Sequence, residues 1–149
     1  MIKLIRTNSE NSDFQMLVVS LDAELQIRDG AEHSFYAQFN KIDNLGEVVV
    51  AYLNEIAVGC GAIKPYSDQT AEVKRMFVKL QNRGKGVAGK ILAELETWAK
   101  ELNFAECILE TGFKQPEAIA LYKKSGYEII PNYGQYVGVE NSVCMRKKI

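Results

Sequence analysis

The stretch Arg83-Gly84-Lys85-Gly86-Val87-Ala88-Gly89-Lys90 constrains the fold of this chain more than any other. It joins a strand-like run, Ala71 to Val78, to a long segment in which Val87, Ile91, Leu95, Trp98 and Leu102 fall on one helical face. Glycines at a strand-to-helix junction let backbone N–H groups approach an anion, and a helix N-terminus adds a partial positive charge. The loop is therefore expected to bind a phosphate-bearing ligand. Gly84 to Gly89 spells G-x-G-x-x-G, the dinucleotide fingerprint, with Glu110 near the position of a ribose-binding acid. Against that reading, Lys79 to Arg83 separate the fingerprint from the strand end, and only Thr111 to Ile149 remain to complete a doubly wound sheet. Gly84 to Lys90 also spells G-x-x-x-x-G-K, but Ile91 then stands where a P-loop needs its magnesium-binding Ser or Thr.

The flanking sequence alternates short strands with helices. Ile2 to Thr7 reads as a strand, and Phe14, Leu17, Val18, Leu21 and Leu25 recur at helical spacing behind a cap at Asn11 or Ser12. A short helical piece is expected around Ser34 to Asn40. Glu47 to Leu53 and Ile56 to Lys64 read as strands joined by the two-residue connection Asn54-Glu55. Glu106 to Thr111 is a further strand, Pro116 suits the first turn of a helix that Gly126 stops, and Tyr127 to Ile130 and Ser142 to Lys147 close the chain around a Tyr/Gly-rich loop. With 149 residues, one domain spanning 1–149 is expected.

Composition narrows the function classes. Net charge is −1 from 18 basic and 19 acidic residues, so no global field favours nucleic acid or an anionic membrane. Lys74, Arg75, Lys79, Arg83, Lys85 and Lys90 nevertheless form an acid-free basic run from Val73 to Ala93, suited to a polyanionic small molecule. The longest apolar run, Val48 to Leu53, is too short to span a bilayer and no signal-peptide pattern opens the chain, so a cytoplasmic protein is expected. Cys60, Cys107 and Cys144 are odd in number, widely spaced and in apolar context, which suggests neither a disulfide framework nor a metal site. His33, the one histidine, has no partner cluster for metal or triad chemistry.

A third pattern starts one residue earlier in the loop. Arg83-x-x-Gly86-x-Ala88 matches R/Q-x-x-G-x-G/A, and it is followed at the right distance by Ala118-Ile119-Ala120-Leu121-Tyr122-Lys123-Lys124-Ser125-Gly126-Tyr127. Together with Val58-Gly59-Cys60-Gly61, Glu72 to Val78 and Leu109-Glu110-Thr111, these segments resemble the GNAT superfamily of acetyl-CoA-dependent N-acetyltransferases from Val48 to Tyr127. The resemblance implies a mixed α/β fold with a central, mostly antiparallel, splayed sheet and about four helices. It implies that Arg83, Gly84, Lys85, Gly86, Val87, Ala88 and Gly89 hold the pyrophosphate of acetyl-CoA through their backbone amides, and that pantetheine lies along Met76, Phe77 and Val78, where a bulge leaves backbone donors free. A backbone N–H of Phe77 or Val78 would then stabilise the tetrahedral oxyanion.

The same resemblance implies the catalytic groups. Attack needs a neutral amine, so a proton acceptor is required. Glu72, eleven residues before Arg83, is the first candidate and Glu110 the second. Tyr122 matches the tyrosine that protonates the leaving thiolate, and Gln115 falls where many members carry a cofactor-contacting asparagine. The acceptor pocket is expected from Tyr36, Phe39, Lys64, Arg75, Tyr133 and Tyr136, for a small-molecule or peptide amine, with a homodimer through the closing strands compatible with the resemblance. A module that senses acetyl-CoA without turnover and an NAD-binding oxidoreductase are the alternatives.

Overall fold

In the computed structural model, which describes residues 1–29 and 44–149, seven strands form one sheet in the order β1-β2-β3-β4-β5-β7-β6. They are β1 (Ile2–Thr7), β2 (Glu47–Leu53), β3 (Ile56–Pro65), β4 (Thr70–Val78), β5 (Glu106–Gly112), β6 (Glu128–Ile130) and β7 (Ser142–Lys148). Three α-helices are described: α1 (Ser12–Asp29), α2 (Val87–Glu101) and α3 (Pro116–Lys124), together with 3-10 turns at Leu80–Asn82 and Gly134–Tyr136. The helix expected around Ser34 to Asn40 lies outside the described residues, as do Tyr36, Phe39 and His33.

Local chemistry accounts for the element ends. Asn11 Oδ1 accepts the Phe14 N–H at 2.9 Å and caps α1. Asn54 and Glu55 both have positive φ, 51° and 68°, the twist a two-residue hairpin needs. Pro116 opens α3, where its missing N–H has no intrahelical partner to lose.

Alternation along the central strands buries both faces of the sheet. Val48, Val50, Cys60, Ala62 and Phe77 pack with Phe14, Leu17, Val18 and Leu21 of α1. Val49, Ala51, Ile63 and Val73 pack with Ile91, Leu92 and Leu95 of α2. Gly61 has no room for a side chain, since a Cβ there would lie 2.9 Å from Leu95 and 3.0 Å from Ile91.

Every strand pair is antiparallel except β4 with β5. That parallel pair is short, joining Thr70, Ala71 and Glu72 to Glu106, Cys107 and Ile108, after which the strands part. A sheet of this topology lacks the parallel frame on which a dinucleotide crevice is built. The register of β4 on β3 shifts between Cys60 and Ala62, so that Arg75 and Met76 together oppose Gly61. Arg75 takes a left-handed backbone, φ 60°, without being glycine. The expected splay and bulge are thus both present, the bulge falling at Arg75.

Candidate active site

The parting of β4 from β5 opens a cleft with two arms. One arm runs to the glycine loop past Phe77, Val78, Arg83, Gly86 and Leu121, and the other is lined by Glu72, Lys74, Arg75, Glu110 and Tyr136. Leu21, Met76, Gln115, Ala118 and Tyr122 border both, so the arms meet beside Met76 and Tyr122.

The loop arm ends at the N-terminus of α2. Gly86 stands at the cap with φ 80°, which an L side chain adopts only with strain, and no side chain caps the helix. The first turn carries no acid, so its backbone N–H groups and the helix dipole present positive potential to the cleft. Val87, Ala88 and Gly89 border this arm as Gly84 does, whereas Lys85 is exposed and does not line it. Asn82, buried at the 3-10 turn, and Glu117 also line it. Nothing in the local sequence singles these two out.

The side chain of Arg83 is engaged within the protein itself. Its Nη1 and Nη2 donate to Glu24 of α1 at 2.9 and 2.8 Å, and its Nε donates to the Val78 carbonyl at 2.8 Å. The guanidinium also lies 5.6 Å from the Phe77 ring centroid. The hydrogen bonds to Glu24 raise the guanidinium pKa above its ordinary value. Arg83 thereby ties the loop to α1, a link spanning 59 residues that no local motif announces.

The free edge of β4 belongs to Val78. Lys79 N–H donates to the Val58 carbonyl at 2.9 Å, and successive N–H groups of a strand point to opposite edges. The Val78 N–H therefore faces the gap, on the same edge as its Arg83-bound carbonyl, and the Phe77 N–H faces β3. Of these two N–H groups, the one on Val78 is open to the cleft.

In the second arm Glu72 is buried, and its Oε2 accepts the Tyr133 hydroxyl at 2.7 Å, with Lys74 Nζ at 3.9 Å. Burial and the adjacent Glu72 carboxylate push the Tyr133 phenol far above its usual pKa. Tyr133 thus stands behind Glu72, where it packs edge to face on Tyr66 and Tyr136 at 5.2 and 5.7 Å. Tyr136 lines the arm and is buried. Glu110 lines it opposite, at the diverging end of β5.

Tyr122 is buried at the meeting point, 5.8 Å from the Tyr127 ring. Burial, reinforced by Glu110, raises its pKa, so the phenol stays protonated at neutral pH. Gln115 borders both arms at the start of α3. The three cysteines are buried and free, with Cys60 pushed up to about 12 and Cys107 to about 11 by burial. Among the described residues no His/Cys/Asp/Glu group could hold a metal ion, and no helix is long and apolar enough to cross a membrane.

Comparison with known proteins agrees with this arrangement. A family model for the acetyltransferase (GNAT) domain matches residues 44–129. The chain is similar to an IAA acetyltransferase of Azospirillum brasilense, 35% identical over 102 residues that cover 68% of this chain and 67% of that one. Matches to four further curated N-acetyltransferases cover 37% to 55% of their lengths. Among solved structures, a Klebsiella pneumoniae protein provisionally named an acyl-CoA N-acyltransferase superposes with a TM-score of 0.83 at 28% identity, over 99% of this chain and 97% of that one. A GNAT family acetyltransferase from Elizabethkingia anophelis with acetyl-CoA bound has the same fold, with a TM-score of 0.70 at 17% identity over 99% and 98% of the two chains. The chain belongs to the GNAT family of acetyltransferases.

Proposed function

We propose that this protein transfers an acetyl group from acetyl-CoA to a primary amine by direct attack within a ternary complex. The observation that carries this reading is the two-armed cleft, with an uncapped helix N-terminus at one end, a buried carboxylate at the other and the protonated Tyr122 where the arms meet. The residues present fit the cosubstrate. The first turn of α2 and Gly86 accommodate a pyrophosphate, and the open edge of β4 offers pairing to an amide-bearing arm. The acetyl-CoA bound to the Elizabethkingia relative supports the same ligand here.

Acetyl-CoA supplies a thioester whose carbonyl carbon accepts the amine. Glu72 takes a proton from the acceptor ammonium, held in place by Tyr133, with Glu110 on the far side of the arm. Val78 donates its backbone N–H to the oxygen on which charge gathers as the amine attacks. Tyr122 passes its proton to the departing sulfur and takes in its place the second proton that the amine nitrogen sheds as the intermediate collapses. The N–C bond forms, the C–S bond breaks, and the products are an amide and CoA thiol.

A thermal-shift comparison of acetyl-CoA, desulfo-CoA, NAD and ATP, followed by CoA-thiol release with a panel of amines, tests the reading. Ligand at 100 times its Kd stabilises by about 2.7 kcal/mol, a shift of several degrees. Stabilisation by the two CoA ligands with thiol release is expected. Binding without release from any amine leaves a sensor module, and a shift with NAD or ATP alone overturns the assignment.

A further inference from the structure

The acceptor arm carries both signs of charge. Glu72 and Glu110 supply carboxylates, and Lys74 and Arg75 supply two cations from adjacent positions at the bulge of β4. Arg75 is 7% exposed, and its Nη1 donates to Asp22 at 2.9 Å. Among the described residues its Nη2 is buried and has no hydrogen-bond partner. Native structures seldom leave a buried guanidinium nitrogen unmatched, because its lost hydration is then uncompensated. Asp22 is about half exposed and meets one nitrogen only. Lys74 is also loosely compensated, for its side chain is 11% exposed and, among the described residues, its nearest carboxylate oxygen, on Glu72, is 3.9 Å away. Burial, with Lys64 and Arg75 adding to it against the pull of Glu72 and Glu110, lowers the affinity of Lys74 for its proton. A compact anion entering this arm would relieve both groups.

Resting on the transferase reading, we propose that the acceptor is an amino acid, its amine held at Glu72 and its carboxylate held by Arg75 Nη2 and Lys74. The carboxylate supplies the missing acceptor for Nη2 in a charge-assisted hydrogen bond, and it offsets two cations from which water is largely excluded. The ammonium faces the two carboxylates across the arm. A zwitterion thus satisfies both ends, whereas a plain alkylamine or an amide leaves Arg75 as it stands. Arg75, which lines this arm from the bulge of β4, becomes the specificity-determining residue.

The test compares matched acceptors on the unaltered protein: free amino acids, their α-amides and the corresponding decarboxylated amines, read by CoA-thiol release. Amino acids are expected to exceed amides and amines in kcat/KM by about tenfold to a hundredfold, the range of a lost hydrogen bond to a buried charge. Amides or plain amines used equally well would overturn the proposal. The same compounds are titrated by calorimetry into the protein saturated with desulfo-CoA. Binding of amino acids over amides without thiol release supports the recognition and removes the transfer chemistry. Failure of all three classes to bind, or to bind with any preference, removes the recognition. Arg75→Gln should bring the amino acid to amide ratio down toward one, and retention of the full ratio in a folded variant counts against Arg75.

Discussion

The Tyr133 hydroxyl donates a 2.7 Å hydrogen bond to Oε2 of Glu72, a residue only 3% exposed. The two lie 61 positions apart in sequence, one on β4 and the other in the loop between β6 and β7. A buried carboxylate fixed by one phenol is set to receive a proton from one direction. Glu72→Gln is expected to lower kcat by about 10²- to 10⁴-fold, the range of a removed general base, with acetyl-CoA affinity unchanged. Tyr133→Phe should cost about tenfold, since the base remains but loses its anchor. Steady-state kinetics beside calorimetric Kd values check both, and a Glu72→Gln enzyme of normal turnover would shift the role to Glu110 or to water.

Tyr122→Phe separates chemistry from packing. The ring stays against Tyr127 and only the proton donor goes. Turnover should fall by about a hundredfold or more while cofactor binding holds. Single-turnover thiol release measures it, and an unchanged rate would take Tyr122 out of the mechanism.

Gly86→Ala probes the phosphate end. An alanine at φ 80° costs about 1–2 kcal/mol and favours rotation of the first N–H groups of α2 away from the cleft. The expected results are a Tm lower by several degrees and an acetyl-CoA Kd raised by more than about tenfold. Calorimetry and a thermal melt report the two effects separately.

Alkaline pH should unfold this protein sharply. Burial raises the pKa of Tyr52, Tyr122, Tyr127, Tyr133 and Tyr136 above the ordinary 10.0. The unfolded chain releases those protons near pH 10 while the native state keeps them, so their stabilisation is whole below 10 and lost as pH rises beyond it. Lys74 has the opposite sign: its depressed pKa makes stability rise with pH until the unfolded lysine itself deprotonates near 10.5. Cys60, Cys107 and Cys144, raised by burial from the ordinary 9.0, act with the same sign as the tyrosines from pH 9 upward. These groups outweigh one lysine, so Tm should decline above about pH 9, with tyrosinate absorbance from the buried rings appearing together with loss of secondary structure rather than before it.

Much of this architecture is legible in short-range pattern. The amphipathic repeat of α2, the apolar runs of β2 and β3, the Asn54-Glu55 turn and Pro116 at the start of α3 are local signals, and each element lies where its residues place it. The glycine loop likewise announces a helix N-terminus, and that end opens on the cleft. What escapes such reading is contact between distant segments. Glu24 reaching Arg83, Asp22 reaching Arg75 and Tyr133 reaching Glu72 depend on which helix covers which strand edge, a choice made by the whole sheet. The left-handed Arg75 has no glycine to mark it, because the cost of its conformation is borne by the surrounding register of β3 on β4.

The three-residue seam between Thr70–Glu72 and Glu106–Ile108 leaves the sheet as two halves hinged at one end. A cofactor arm bonded along the open edge of β4 would serve as a temporary eighth ribbon, wedged where protein hydrogen bonds are lacking. Its departure as CoA would return the halves to their single seam. Amide exchange at Val78 and at the diverging end of β5 should therefore slow on loading and quicken on release, making the stiffness of the domain itself a record of each turnover.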